Sequence, residues 1–204
     1  MGILSSSVSI TQYRVEGKLS EPILERVATG LKKNAVEDID NESSDKAIGW
    51  VCFNDPFSTD FNQSPFLIGT HLVFSMRIDK KSIPSKIVQK HYSLEMKKRL
   101  EKSGREYLSK NEKKEIKDHV LHLLNLRIPA TPNIYDLIWN YESSALWFFS
   151  NLKGANEELE TLFTRSFHLK IIRLFPYTMA ALASPLSDVE KDAVSQFTPT
   201  RFTE

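Results

Sequence analysis

The chain has 204 residues, 41% of them hydrophobic and 26% charged, which is ordinary for a globular protein. No apolar run approaches the roughly 20 residues that span a bilayer, and the first residues lack a secretory signal. We therefore expect a cytoplasmic protein that does not enter a membrane. The one cysteine, Cys52, lies in an apolar run, where a buried structural residue is the expected role.

The charge of the chain is unevenly distributed. The formal net charge is only +1, but residues 79–118 contain 13 Lys and Arg against 7 Asp and Glu, which gives +6 for this segment and −5 for the rest. Such an asymmetry is more informative than the total, because a local basic surface can bind nucleic acid in a nearly neutral protein.

The first part, residues 1–80, reads as α+β. Alternating apolar and polar residues predict a strand over 8–15, and helical spacing predicts a helix that Ser20 caps and that ends near Asn34. A polar loop over 37–46 precedes a short strand at 50–53 and two strands at 66–68 and 71–78 that meet at Gly69.

The second part, residues 81–129, predicts a projecting pair of basic helices. The first begins at Ile83-Pro84 and stops at Gly104, since proline suits a first turn and glycine a helix end. Ser109 and Glu112 have the spacing of a capping box, which starts a second helix that ends near Asn125.

The third part, residues 130–176, predicts strands over 133–141 and 145–150, a turn at 142–144, a helix from an Asn156 cap to Ser166, and a strand over 168–174. The tail, 177–204, has a second possible capping box at Ser187 and Glu190 and a short helix over 188–196. The expected fold is α+β, with antiparallel sheets flanking the central pair of long basic helices.

A lysine stripe on the first basic helix is the main functional signal. At 100° per residue, Lys86, Lys90 and Lys97 fall within about 40° of one another. An apolar stripe lies on a different side of the helix, and it consists of Val88, Tyr92, Met96 and Leu100. Evenly spaced lysines can follow a phosphate backbone, but acidic residues are interleaved, so an ordinary solvated surface stays open as an alternative.

Other chemistry has weaker support. His119 and His122 are three residues apart but have no further ligands, and there is no glycine-rich phosphate loop. Glu-x-Lys triplets at 16–18, 95–97 and 115–117 are the only hint of a metal-dependent nuclease. We expect no enzyme activity, no metal and no cofactor, with an exonuclease kept as an alternative.

The central segment resembles the RdgC family. The matching features are Ile83-Pro84 and Ile87-Val88, which open a long basic helix, and residues 113–124, which form the second helix. Residues 8–33, Gly49-Trp50-Val51 and the stretch from Ile138-Trp139 to Phe175-Pro176 continue the similarity, so that it covers about 8–176. At the turn after the second helix, where the family has Pro-Arg-Ala-Phe, this chain has Leu126-Arg127-Ile128-Pro129, and family members are usually longer at the C-terminus.

The resemblance implies an α+β protein that forms a ring-shaped homodimer, binds DNA with little sequence preference and restrains RecA-promoted recombination at the bacterial nucleoid. We therefore expect a sequence-independent duplex-binding homodimer without a small-molecule substrate. The alternatives are a protein–protein interaction module and a metal-dependent exonuclease. The candidate dimer contacts are Leu126, Ile128 and Pro129. The candidate DNA contacts are Lys80, Lys81, Lys86, Lys90, Lys97, Lys98, Arg99, Lys113, Lys117 and Arg127.

Overall fold

A computed structural model describes residues 2–62, 65–183 and 186–198. Its elements in chain order are β1 (Thr11–Glu16), α1 (Ile23–Lys33), β2 (Lys46–Val51), β3 (Leu67–Ile68), β4 (His71–Lys80), α2 (Ser85–Ser103), α3 (Lys110–Asn125), β5 (Thr131–Asn140), β6 (Ala145–Phe148), α4 (Lys153–Phe167), β7 (Lys170–Arg173), α5 (Pro176–Ala183) and α6 (Asp188–Ser195).

The strands form one antiparallel sheet, which confirms the α+β class. The strand order is β2-β4-β5-β6-β1-β7, and β3 pairs with the beginning of β4. The expectation of separate sheets on either side of the helical pair is wrong, because β4 and β5, which precede and follow that pair, lie side by side from His71–Asn140 to Lys80–Thr131. The chain therefore leaves the sheet before α2 and returns to it after α3 at the same end of two neighbouring strands.

The main core lies between one face of the sheet and the helices α1 and α4. Large aromatic side chains meet edge to face there: the ring centroids of Trp50 and Phe74 are 5.0 Å apart, and so are those of Trp139 and Phe163. Gly30 permits a close approach of α1 to α4, since a Cβ at this position would lie 2.7 Å from the carbonyl oxygen of Ser166. Cys52, 1% exposed, is buried as predicted.

The opposite face of the sheet carries buried polar groups that the N-terminal segment and residues 52–62 help to cover. Ser75 Oγ donates to Asp136 Oδ1 at 2.7 Å, and the backbone N–H of Ile3 donates to Asp136 Oδ2 at 2.9 Å. Arg77 pairs with Asp79 at 2.8 Å and also donates to the carbonyl of Pro56 at 3.1 Å. Each buried charge on this face thus has hydrogen-bonding partners, as burial requires.

Two predicted helix caps are wrong. Helix α1 begins after Pro22, so Ser20 lies two residues too early to cap it. Asn156 lies inside α4, whose N-cap position is Leu152. Its side chain is fully buried and donates to the carbonyls of Ser150 and Leu152, because the fold uses this amide in the core rather than at a solvent-exposed helix end.

The strand predicted at 50–53 is wrong in its bounds, because β2 spans Lys46–Val51 and pairs with β4 over its whole length. Several other local predictions agree with the structure. The capping boxes at Ser109 and Ser187 are both formed, and Gly104 ends α2 with φ 62°. The turn between β5 and β6 lies at the predicted place. Helix α5, directly after β7, has no counterpart in the prediction, which ended its last strand at Pro176 without assigning a helix there.

Candidate nucleic-acid interface

Helices α2 and α3 form a hairpin, here called the basic hairpin (residues 81–130). The apolar stripe on α2, predicted from spacing, packs against a buried seam on α3 that consists of Ile116, Val120 and Leu124. Leu108 in the connecting loop completes this cluster, which is separate from the main core. The hairpin is therefore held together by its own small core.

The capping box at the tip fixes the start of α3. Ser109 Oγ accepts from the backbone N–H of Glu112 at 3.3 Å, and the Glu112 carboxylate accepts from the backbone N–H of Ser109 at 2.8 Å. The hydrogen bond from the Ser109 backbone lowers the pKa of Glu112 below its ordinary value, and Arg105, 2.9 Å away, adds to the shift. The carboxylate stays ionised at the positive end of the helix dipole.

The lysine stripe faces solvent. Lys86, Lys90 and Lys97 are all exposed, on the side of α2 away from the apolar seam. With a rise of 1.5 Å per residue, the stripe extends over about 16 Å of helix. Successive phosphates of one DNA strand are spaced about 3.4 Å along the duplex axis, so the length of the stripe matches several successive phosphates.

Ion pairs neutralise little of the hairpin's charge. Lys97 lies 3.9 Å from Glu101 and Lys98 lies 3.6 Å from Glu95, both as exposed pairs within a turn of α2. Exposed pairs of this kind are weak and leave the ammonium available to other anions. Other exposed candidates form no ion pair within the described part of the chain: Lys80, Lys86, Lys90, Arg99, Lys113, Lys117 and Arg127.

The candidate residues do not all share one surface. Arg99 lies on the opposite side of α2 from the lysine stripe, at about 140–180° from its three lysines by helical geometry. Lys113 and Lys117 are exposed on α3, whereas Lys80 and Arg127 are exposed where the hairpin joins the sheet. The structure thus brings together Lys86, Lys90 and Lys97 and spreads the other cations around the hairpin.

Lys81 is the exception, and we remove it from the candidate DNA contacts. It is 5% exposed, and its ammonium donates to the carbonyls of Asp40, Glu42 and Asn125 at 3.1, 2.8 and 2.7 Å. An ammonium with three donors used inside the protein has none left for a phosphate. Sequence reasoning missed this role because the carbonyls that bind the ammonium come from segments 39 to 44 residues away, which local spacing does not indicate.

Apolar side chains are also exposed on the hairpin. Ile87 and Leu94, 40% and 50% exposed, are seven residues apart and lie next to the lysines on α2. The candidate dimer contacts lie at the other end: Leu126 is 36% exposed, Ile128 is half-buried and Pro129 is exposed. The spacing of Ile87 and Leu94 could have indicated this second apolar row, which the sequence reasoning did not use.

The residues considered for metal chemistry stay apart. Within the described residues, no three His, Cys, Asp or Glu side chains are close enough to share a metal ion. Glu16 ends β1, and Glu95 is half-buried on α2. Glu115, His119 and His122 are exposed on α3.

No helix of the described part combines the length and the apolar character needed to cross a membrane.

Comparison with known families decides the kinship. The family described as "Putative exonuclease, RdgC" matches residues 9–167. The chain belongs to the RdgC family. The match runs from β1 through the basic hairpin to the end of α4, and so includes the main core and the whole hairpin, whereas β7, α5 and α6 lie beyond it. No curated protein matches the chain.

Proposed function

We propose that this RdgC-family protein binds duplex DNA without sequence preference through its basic hairpin, and that it acts on RecA-dependent recombination in the bacterial cytoplasm. One observation carries the proposal: Lys86, Lys90 and Lys97 form an exposed row on a helix whose other side is packed. Family membership supports the same conclusion.

The chemistry of these residues favours the phosphate backbone over the bases. A lysine ammonium is a point charge on a flexible chain, and it binds a phosphate by displacing a counterion. Backbone contacts of this kind position a protein on DNA but read no sequence. Eight of the ten candidate cations remain when two are set aside. Lys81 is buried, and Arg99 lies on the opposite side of α2 from the lysine stripe.

Salt dependence tests the proposal directly. If about six phosphates are neutralised, log K for duplex falls with log salt at a slope near −5. Replacing Lys86, Lys90 and Lys97 together by Gln reduces the magnitude of the slope by about 3 and weakens binding at every sequence tested. Fluorescence anisotropy with two unrelated duplexes measures both effects.

A matched triple variant controls for the lost charge. Lys33, Lys153 and Lys170 are exposed on α1, α4 and β7, which are not part of the hairpin. Their replacement by Gln should leave the slope unchanged. No binding of the wild-type protein at about 50 mM salt, or a slope near zero, is the result that a pure protein–protein interaction module gives, and it contradicts DNA binding.

A nuclease is the second candidate, because the family description names an exonuclease. It predicts loss of label from end-labelled duplex in Mg²⁺ or Mn²⁺, and loss of that activity when Glu95 or Glu115 is replaced by Gln. Intact label after prolonged incubation, with binding retained, rejects the nuclease and leaves the DNA-binding proposal standing.

A further inference from the structure

Lys81 lies where the basic hairpin joins the sheet, one residue after β4 ends. Its ammonium binds three carbonyl oxygens from two distant parts of the chain: Asp40 and Glu42 in the segment before β2, and Asn125, the last residue of α3. Its backbone N–H also donates to the carbonyl of Asp45 at 2.8 Å. This one residue thus links the sheet, the segment 40–45 and the end of the hairpin.

The C-terminal end of the hairpin is hydrogen-bonded to the same segment, residues 40–45. Asp40 Oδ1 accepts from the backbone N–H of Ala130 at 2.7 Å, and Asn125 Nδ2 donates to the carbonyl of Ser43 at 3.4 Å. Both ends of the hairpin are therefore bound to residues 40–45. We call this set of contacts, made by Asp40, Glu42, Ser43, Lys81, Asn125 and Ala130, the root clamp.

The electrostatics of the root clamp explain why a cation is stable there. The carbonyl of Asn125 belongs to the last turn of α3, whose carbonyls have no partner within the helix and form the negative end of its dipole. A buried ammonium is costly unless its donors are satisfied, and three carbonyl acceptors satisfy all three. All three N–H groups of the Lys81 ammonium therefore have acceptors inside the protein.

Within the described residues, the apolar packing of the hairpin does not fix its direction relative to the sheet. Its apolar seam is a separate cluster from the main core, so the packing that holds α2 to α3 does not hold the hairpin to the sheet. Since α2 is about 28 Å long, a swing of 10° at the root displaces the tip by about 5 Å. Contacts at the root therefore set where the lysine stripe points.

We propose that Lys81 is a positioning residue, which holds the basic hairpin at a fixed angle to the sheet and thereby presents the lysine stripe to DNA. The proposal extends the proposed function, but its structural part can be tested without DNA. It assigns to Lys81 a role through carbonyl groups of its own chain rather than through a phosphate.

The first experiment measures the angle. Spin labels on Ser103→Cys, at the end of α2, and Glu157→Cys, on the exposed side of α4, report the distance from the hairpin tip to the sheet layer by pulsed electron paramagnetic resonance. Cys52 remains in place because it is 1% exposed. We expect a narrow distance distribution in the parent protein and in Lys80→Met, and a distribution shifted or broadened by several Å in Lys81→Met. A Lys81→Met distribution equal to that of the parent overturns the proposal.

A second variant keeps the test valid if Lys81→Met fails to fold. Asp40 is exposed, and its carboxylate binds Ala130 in the root clamp, so Asp40→Ala should broaden the same distribution to a smaller extent. The neighbouring exposed Glu37 contributes no hydrogen bond to the clamp, and Glu37→Ala should leave the distribution unchanged. Equal distributions in Asp40→Ala and Glu37→Ala count against the root clamp.

Duplex binding separates positioning from direct contact. Lys81→Arg keeps the charge, but a planar guanidinium cannot direct three N–H groups from one atom to three carbonyls. We expect Lys81→Arg and Lys81→Met to weaken duplex binding alike, about tenfold. Retained affinity in Lys81→Arg alone indicates a direct phosphate contact and overturns the positioning role. If even the parent protein does not bind duplex, the proposed function fails while the distance measurement still decides on the root clamp.

Discussion

At the scale of single residues, the buried hydrogen-bond network around Tyr13 shows how polar groups stabilise this core. The Tyr13 hydroxyl donates to Asn156 Oδ1 at 2.6 Å and lies 3.1 Å from Glu160 Oε1, which also accepts from Arg173 at 2.9 Å. Burial, followed by the negative charge of Glu160, raises the pKa of Tyr13 well above its ordinary value. The network therefore requires the neutral phenol.

We predict that Tyr13→Phe lowers the free energy of unfolding by about 1–3 kcal/mol near pH 8, because the buried Asn156 oxygen loses its donor. Above pH 10 the unfolded state loses a phenol proton that the folded state keeps, so the wild type loses stability by about 1.4 kcal/mol per pH unit. The difference between the two proteins should therefore narrow at pH 11. Urea unfolding at pH 8 and 11 measures it.

Tyr107 supplies the control for this substitution. It is 80% exposed at the hairpin tip, and Tyr107→Phe should match the wild type at both pH values. A Tyr13→Phe difference that is the same at pH 8 and pH 11 would show that the phenol proton is not coupled to folding.

At the scale of secondary-structure elements, the basic hairpin has a core of its own, and the three tryptophans all lie in the sheet, at Trp50, Trp139 and Trp147. Tryptophan fluorescence therefore reports the sheet, whereas hydrogen exchange of α2 and α3 amides reports the hairpin. Separate clusters of buried residues allow such regions to open at different free energies.

We predict that Ile116→Ala, at a position 4% exposed in the hairpin seam, lowers the opening free energy of α2 and α3 by about 2–4 kcal/mol. The fluorescence transition of the sheet should shift much less. Leu159→Ala, in the main core, is the matched change and should shift the fluorescence transition fully. Equal shifts of the fluorescence transition in the two variants would mean that hairpin and sheet unfold as one unit.

The two capping boxes allow a paired test at the same scale. We predict that Ser109→Ala weakens protection from hydrogen exchange in the first turns of α3, because the backbone N–H of Glu112 loses its acceptor. Ser187→Ala removes the equivalent acceptor in α6, which lies outside the hairpin, so protection of α3 should not change. Loss of α3 protection in both variants would rule out a local capping effect.

At the scale of the whole molecule, the hairpin emerges from the end of one sheet, between neighbouring strands, and this places Leu126, Ile128 and Pro129 at its root. We propose these residues as the homodimer contact. Leu126→Asp should then convert a dimer to a monomer in sedimentation velocity, because a buried unpaired carboxylate opposes association. Leu152→Asp changes an exposed side chain at the start of α4 and should leave the sedimenting mass of the protein unchanged.

The dimer prediction has a clear contrary outcome. A wild-type protein that sediments as a monomer at micromolar concentration, or a Leu126→Asp variant that remains dimeric, excludes this contact. A monomer that binds duplex with a steep salt dependence would separate DNA binding from ring formation.

The sequence by itself determined the features that depend on near neighbours. Helix ends at Gly104, Ser109 and Ser187, the apolar seam of the hairpin, and the exposed lysine stripe all follow from spacings of three to four residues or from single backbone conformations. Such local preferences act in any fold, so these features can be predicted from the sequence without the structure.

Only the tertiary structure decided the features that depend on distant segments. Because β4 pairs with β5, the strands form one sheet rather than the expected flanking sheets. Asn156 is a core residue because its side chain accepts a hydrogen bond from the buried Tyr13 hydroxyl. Lys81 reads as one more cation in a basic segment, yet carbonyls 39 to 44 residues away bury its ammonium. The charge pattern thus identified the hairpin that we propose to bind DNA, and tertiary contacts separated its surface lysines from the one that holds it in place.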